Sequence, residues 1–379
     1  ELRLVIDYQR KNGADRTLTL DIVDYPGEWL LDLPLLNKSY GQWSAESLGL
    51  SRERPRAPLA AQWHTQLATL NALEAEDEQA ALTAARLFTE YLRTCRDERF
   101  AMSLLPPGRF LMPGNLAGSS ALTFVPLDLP DNGAAPEGSL WAMMRRRYEA
   151  YKDVVVRPFF RDHFSRLDRQ VVLVDALSAF NSGPEALVDL EAALAGILDC
   201  FRIGRSTLLS SLFRPRIDRI LFAATKADHL HRSSHDRLEA VLRRTVTRAV
   251  ARAEDTGADI DVVALAAVRA TREAQVQCGR EKLPSILGTP APGETAGGEA
   301  FDGETEVATF PGDLPADPEE LFKGETAFRG LSSATAEKSD FRFLRFRPPQ
   351  LEREGTDEPV LPHIRLDRAL QFLIGDRLQ

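Results

Sequence analysis

The sequence predicts an α/β fold: a mixed, mostly parallel sheet with helices on both faces, a large helical insertion and an extra β-containing segment. Three observations predict it. From residue 166 to about 284, short β-branched runs alternate with amphipathic stretches, the rhythm of parallel strands joined by helices. Polar residues able to bind a ligand fall at the carboxyl ends of those runs, where open α/β sheets place their sites. Residues 40–165 break the rhythm with helix formers and aromatics.

The elements follow in order. Glu1 to Tyr8 alternates partly at period two, and Lys11-Asn12-Gly13-Ala14-Asp15 supplies turn chemistry, so Thr17 to Val23 reads as the return strand of a hairpin. Pro55 to Ala61 breaks a helix-rich stretch, and Ala80 to Cys95 gathers Ala81, Ala84, Leu87, Tyr91 and Leu92 near one helical face. A Gly- and Pro-rich region through Gly138 leads to a second helical block, Leu140 to Phe164. With so many aromatics, the insertion is expected to be a helical subdomain rather than a disordered linker. Gln170 to Asp175 is a buried-type strand, and Pro184 to Phe201 a helix entered through Asn181-Ser182-Gly183. Ile217 to Thr225 is a strand, Ser233 to Glu254 a helix and Ile260 to Val268 a further strand. Gly288 to Thr305 reads as a mobile surface loop, followed by β-like pieces at Thr305 to Phe310 and Phe341 to Arg347. Leu366 to Leu378 is an amphipathic closing helix.

Composition narrows the function classes. The 379 residues are 44% hydrophobic and 27% charged, enough for one large core or two smaller ones. A net charge of −9 argues against a generic nucleic-acid binder held by phosphate contacts. Cys95, Cys200 and Cys278 form no C-x-x-C pair, which argues against a disulfide framework or zinc ribbon. No apolar run approaches the roughly 18 residues a membrane span needs, and residue 1 opens no signal peptide. The expectation is a cytoplasmic protein, with peripheral contact at the inner membrane left open.

Two segments carry the chemistry. In Asp24-Tyr25-Pro26-Gly27 an apolar run ends in Asp, and Gly follows three residues later. Nucleotide switches use this spacing to set a carboxylate beside a magnesium-bound water and a backbone N–H beside a γ-phosphate. Taken alone it is also the pattern of any helix-entry turn. Two hundred residues on, Thr225-Lys226-Ala227-Asp228 has the form of a guanine-reading loop. There a carboxylate accepts from guanine N1 and N2, donors that adenine lacks in that arrangement, while the Lys stem lies along the base. Alone it could equally cap the next helix. The Ala266-Ala267-Val268 turn one strand later completes the constellation, and its convergence with the other two segments favours the site. A hairpin followed by D-x-x-G is the strand order of Ras-like GTPase domains, in which a phosphate loop precedes that hairpin. No G-x-x-x-x-G-K-[ST] stands in these 379 residues; Gly204-Arg205-Ser206-Thr207 is the nearest imitation and lacks the lysine.

Glu28 occupies the position where Ras-like switches usually carry Gln, and is the candidate catalytic residue that orients or deprotonates water. As a carboxylate it would also repel the γ-phosphate, so a solvated switch residue is the competing reading. His229, His231 and His235 lack the Cys or carboxylate that would complete a metal set; His229 beside Asp228 is instead a candidate to flank the base. The Arg157 to Arg169 stretch mixes Arg with Phe and suits a packed helix end better than a lipid-binding surface.

The chain resembles the YcjX-like family of bacterial P-loop GTPases, associated with stress response and the phage-shock regulon. The resemblance rests on DIVDYPGEWLLDLP (21–34), PPGRFLMPGNLAG (106–118), RLDRQVVLVD (166–175), FNSGPEA (180–186), LFAATKADH (221–229) and PHIRLDRALQFLIGD (362–376). It implies a Ras-like P-loop NTPase core, GTP and GDP as ligands with Mg²⁺ as cofactor, and a membrane-associated protein partner. Carried over by position, Asp24 and Gly27 match the switch, with Asp24 reaching Mg²⁺ through water. Lys226, Asp228 and His229 match the base loop and Val268 the last turn. The expected organisation is a nucleotide-binding core in two parts, 1–39 and 166–284, with a helical insertion at 40–165. A loop-rich β extension follows at 285–360, and a C-terminal helix at 361–379 packs on the core. The expected function is a GTP-binding, GTP-hydrolysing stress switch; the alternative is a non-hydrolysing interaction module of the same fold.

Overall fold

The computed structural model describes residues 1–128, 135–200, 217–253, 258–296, 299–322, 343–349 and 361–378. The Gly204–Thr207 imitation and the first two residues of the Phe341–Arg347 run lie outside the described residues. The chain divides into two compact units, one built from Glu1–Ile22, Arg169–Glu191 and Ile217–Gln379, the other from Val23–Asp168 and Ala192–Arg216. Among the described residues no helix is long and apolar enough to cross a membrane.

The first unit holds the strands. β1 (Leu2–Gln9) and β2 (Asp15–Ile22) form an antiparallel hairpin. Gly13 takes φ +83, which a Cβ would strain, to close its turn. The register sets Leu2 opposite Ile22, Leu4 opposite Leu20 and Ile6 opposite Leu18, giving one apolar face, of which Leu2, Leu4 and Ile22 stay exposed. β3 (Arg169–Val174), β4 (Arg219–Ala224) and β5 (Asp259–Ala264) form a parallel sheet with β4 central and buried almost throughout. The C-terminal helix Leu366–Ile374 packs Ala369, Leu366, Phe372 and Leu373 on Leu221, Ala223, Val263 and Leu265, one face of β4 and β5. Arg169 ties the end of that helix to the sheet: its guanidinium donates to Asp376 at 2.6 Å and Asp218 at 3.1 Å, holding the Asp376 carboxyl down at about 2. A second sheet, β6 (Arg272–Cys278), β7 (Glu281–Gly288) and β10 (Val307–Thr309), is antiparallel.

Three expectations are corrected here. Gly288 to Thr305 is not simply a loop, because β8 (Thr295–Ala296) and β9 (Glu299–Ala300) pair within it. Gly293 at φ +84 lets the chain turn; its N–H donates to the Phe301 carbonyl, and the Phe301 N–H donates to the Glu294 carbonyl. The strand beginning near Ile260 ends at Ala264 rather than Val268, since Ala266 pairs with Ile364 instead of continuing the ladder. The last helix stops at Ile374, four residues short of Leu378: Gly375, a poor helix former, stands at its end, and the Arg377 N–H turns back to the Ile374 carbonyl instead of continuing the ladder.

The second unit is helical and aromatic. The Tyr40–Arg52 helix starts in a capping box between Ser39 and Gln42, and the Glu78–Arg96 helix is capped by Asp77. The Leu140–Tyr151 helix passes through a π turn, Lys152–Val156, into Arg157–Asp162. Their apolar faces meet in a cluster of rings, with Trp43 stacked on Tyr148 at 5.1 Å and Trp63 on Tyr91 at 5.2 Å. Phe88, Phe110 and Phe124 fill between them edge to face. Below this cluster a 3₁₀ helix, Gly27–Asn37, crosses the one-turn helix Gly108–Leu111 at backbone contact.

That crossing leaves no room for a side chain. A Cβ on Gly108 would stand 1.8 Å from the Glu28 carbonyl oxygen and 2.5 Å from its carbon. Gly108→Ala is expected to destabilise by about 3 kcal/mol, the upper end of overpacking. Gly49→Ala, in a helix with nothing within 4 Å of the new methyl, should be neutral or stabilising by up to about 1 kcal/mol. Thermal unfolding of both variants checks this; equal melting of Gly108→Ala and wild type would refute the close crossing.

Candidate functional site

In the first unit the candidate base loop grows out of the sheet. β4 ends at Ala224, and the Thr225 N–H still donates to the Val174 carbonyl at 3.0 Å, so the chain leaves the ladder at a fixed point. Lys226 turns it sharply with φ +60, a left-handed conformation that costs a non-glycine residue and persists only where surroundings enforce it. Its ammonium reaches Asp175, the residue after β3, at 2.6 Å. Ala227–His229 is a single 3₁₀ turn, pinned by the Ala227 N–H to the Leu265 carbonyl at 3.2 Å.

Asp228 is 4% exposed. Its Oδ2 accepts the Ala270 N–H at 2.8 Å, and its backbone carbonyl accepts the Thr271 hydroxyl. Oδ1 takes no hydrogen bond from any described residue. The carboxylate is therefore held by one oxygen and open at the other. Beside it Ala267 and Val268 are exposed, on a turn clamped by bonds from Ala266 to Ile364 and from Arg269 to Pro362. His229 lies behind, 7% exposed, its ring edge-on to Phe346 at 5.3 Å; burial pushes its imidazole below the usual value. His231 bonds Ser233 and His235 bonds the Leu230 carbonyl. An open pocket of about 780 Å³ adjoins the turn, with Arg269, Thr271, Arg272, Gly288 and Arg347 in its wall, but neither Lys226 nor Asp228 lines it.

The candidate switch residues belong to the second unit. Asp24 is exposed and makes no hydrogen bond or ion pair with a described residue. Gly27, also exposed, begins the 3₁₀ helix, so its N–H has no acceptor within that helix. The Glu28 carboxylate is paired with Arg96 and is 19% exposed. Trp29 donates its indole N–H to the Met112 carbonyl at 2.9 Å. Three residues further, Asp32 is buried, with Oδ1 accepting the Gly108 N–H at 2.8 Å and Oδ2 the Tyr151 hydroxyl at 2.7 Å.

Lys226, Asp228, His229 and Val268 thus come together on one unit, and Asp24, Gly27 and Glu28 on the other. Sequence reasoning missed four contributors. Asp175 appeared only as the end of a strand, although its place beside the next strand's end was a usable signal. Ala270 and Thr271 carried no motif, and Asp32 stood within the 21–34 segment without an assigned role.

The chain matches the model described as YcjX-like family, DUF463, over residues 1–378. It is 37% identical over 393 aligned positions to "Ras-like GTPase YcjX" of Escherichia coli (strain K12), covering all of this chain and 78% of that relative. It is 35% identical over 394 positions to "Ras-like GTPase YcjX" of Shewanella oneidensis, covering all of this chain and 76% of that relative.

Burial outweighs the two donors on Asp32 and pushes its carboxyl from the ordinary 3.8 up to about 6. Between those values the folded state keeps a proton that the unfolded state has lost, so this contribution to stability falls as pH rises from about 4 to about 6. The change amounts to about 3 kcal/mol. Urea midpoints measured across pH 4–7 should show that decline in wild type and lose it in Asp32→Asn; an unchanged slope in the variant would exclude Asp32 as its source.

Proposed function

Since the chain belongs to the YcjX-like family, we propose that the complete protein binds GTP and GDP and hydrolyses GTP to GDP and phosphate as a stress-related switch. The observation that carries this is Asp228: a nearly buried carboxylate, anchored through Oδ2 and open at Oδ1, at the carboxyl end of the central strand. A free carboxylate edge at a fixed position is what reading the guanine N1 and N2 donors requires. Lys226 lies beside it with its stem available to one face of the base, and Ala267 and Val268 offer exposed apolar surface to the base edge. His229 would act from behind, packing Asp228 into place.

In this reading Asp24 serves the phosphate end. Its exposed, unpartnered carboxylate suits the water-mediated contact by which Mg²⁺, which keeps several waters and leans on substrate phosphates, is usually held. Among the described residues no group of three or more His, Cys, Asp or Glu could form a protein cage for a metal, which fits that mode. When bound, the ion would neutralise charge on the β- and γ-phosphate oxygens. The Gly27 N–H would donate to a γ-phosphate oxygen, and Glu28 would orient water after leaving Arg96. A phosphate loop contributed from outside these 379 residues would supply the rest of a Ras-like P-loop core. Its strand and helix would cover the exposed apolar residues Leu2, Leu4 and Ile22 of the hairpin and Val171 and Leu173 of β3. A membrane-associated partner and residence in the cytoplasm or at the inner membrane complete the proposal.

A second reading, a non-hydrolysing interaction module with the base pocket retained, is favoured by one observation: Glu28 is tied to Arg96 rather than free.

Labelled GDP titrated against Asp228→Ala should bind at least about tenfold more weakly than to wild type, given two lost charge-assisted bonds. Asp228→Asn should move preference from guanine toward xanthine nucleotides, because the amide donates where the carboxylate accepted. Equal affinities, or an unmoved preference, would defeat the guanine assignment.

A further inference from the structure

The segment PPGRFLMPGNLAG (106–118) has no part in the chemistry above, yet it grips the residues that follow Gly27. Gly108 meets the Glu28 carbonyl at backbone contact, and the Met112 carbonyl takes the Trp29 indole N–H. Between them the Arg109 guanidinium lies on the Trp29 ring, its central carbon 3.2 Å from the centroid. Phe159 closes on Trp29 edge-first at 5.7 Å. Trp29 is therefore held by its face, its edge and its one polar atom.

Arg109 is an unusual residue for that place. It is 7% exposed, and its Nη1 is buried with no hydrogen-bond partner. Packing alone would be served by Met, which fills the same space without a desolvated charge or an unsatisfied donor. A planar, delocalised cation is what stacks flat on an indole, which Lys cannot do. The cation also feels the buried Asp32 carboxylate, but that attraction needs only a charge; the flat stacking is spent on Trp29, two residues from Gly27 and next to Glu28.

From this geometry we infer that Arg109 is a positioning residue for GTP hydrolysis, acting through Trp29 to fix the Gly27 N–H and the Glu28 backbone at the γ-phosphate. The inference rests on the GTPase reading above. In the step it serves, a water oxygen bonds to the γ-phosphorus as the bond to the bridging oxygen breaks. That oxygen leaves with the electron pair on GDP, and the water's proton passes to the released phosphate. Misplacing a participating group by about 1 Å can cost on the order of 100-fold in rate, so a clamp two residues away has ample leverage.

The test is single-turnover hydrolysis of preloaded GTP by the complete protein, with KM and GDP affinity measured alongside. Arg109→Met should lower the hydrolysis rate at least about tenfold while KM and GDP affinity stay within about twofold, because the base loop is untouched. Arg109→Lys, charged but unable to stack, should not rescue it. A purely structural role would instead move binding and melting with the rate. Should Arg109→Met fail to fold, Trp29→Leu removes the platform from the other side and should give the same selective loss. A rate within about twofold of wild type in whichever variant folds overturns the inference. Wild type that hydrolyses beside such variants leaves the GTPase reading standing; wild type that neither binds nor hydrolyses GTP overturns both.

Discussion

Strand β4 has almost no exposed side, and the candidate base loop depends on that. Its hydrogen bonds run to β3 on one edge and β5 on the other, while Leu221 and Ala223 lie under the C-terminal helix. A strand held this way cannot slip register without exposing an entire apolar face. Its last residue is therefore a fixed origin, from which Lys226 makes a left-handed turn and Asp228 is delivered to the bonds offered by Ala270 and Thr271. The Ala270 bond satisfies one oxygen of a nearly buried carboxylate and leaves the other without a partner among the described residues, while the Thr271 hydroxyl holds the Asp228 backbone carbonyl. An anion so placed is stable enough to exist without a ligand and unsatisfied enough to want one.

The helical unit solves a different problem. The segment after Gly27 is short of regular structure of its own, a 3₁₀ helix with Pro34 inside it. Side chains from distant helices hold it instead: Arg96 on Glu28, Arg109 on Trp29, and Tyr151 with the Gly108 backbone on Asp32. Most of these contacts are polar, directional and desolvated, so each is strong when made and costly when half-broken. That is the character of an element with discrete arrangements rather than a continuous range, which suits a switch.

Much of this was legible in order along the chain. The hairpin, the three parallel strands and the major helices announce themselves through periodicity, because each buries its own apolar residues at a spacing the backbone dictates. The loop residues Lys226 and Asp228 are equally readable, since strand, turn and carboxylate are contiguous. What went unread are groups that matter only through a partner far off in sequence: Asp175 for Lys226, Thr271 for Asp228, Tyr151 for Asp32. Tyr151 counted as one more apolar residue on a helix face, and nothing in its neighbours reveals that its hydroxyl meets a carboxylate 119 residues away.

The sequence by itself determined the alternation of strands and helices, the helical character of residues 40–165, and the residues proposed to read a guanine. Local backbone preference and side-chain periodicity are written in contiguous residues, so no partner is required to see them. Only the tertiary structure decided which oxygen of Asp228 is left open, that Glu28 is paired with Arg96, and that the stretch read as a mobile loop after Gly288 pairs with itself. It also gave the 106–118 segment its role beneath Trp29. Each of these depends on which groups meet across the fold, and desolvation makes such meetings energetically decisive while leaving no trace in the spacing of residues along the chain.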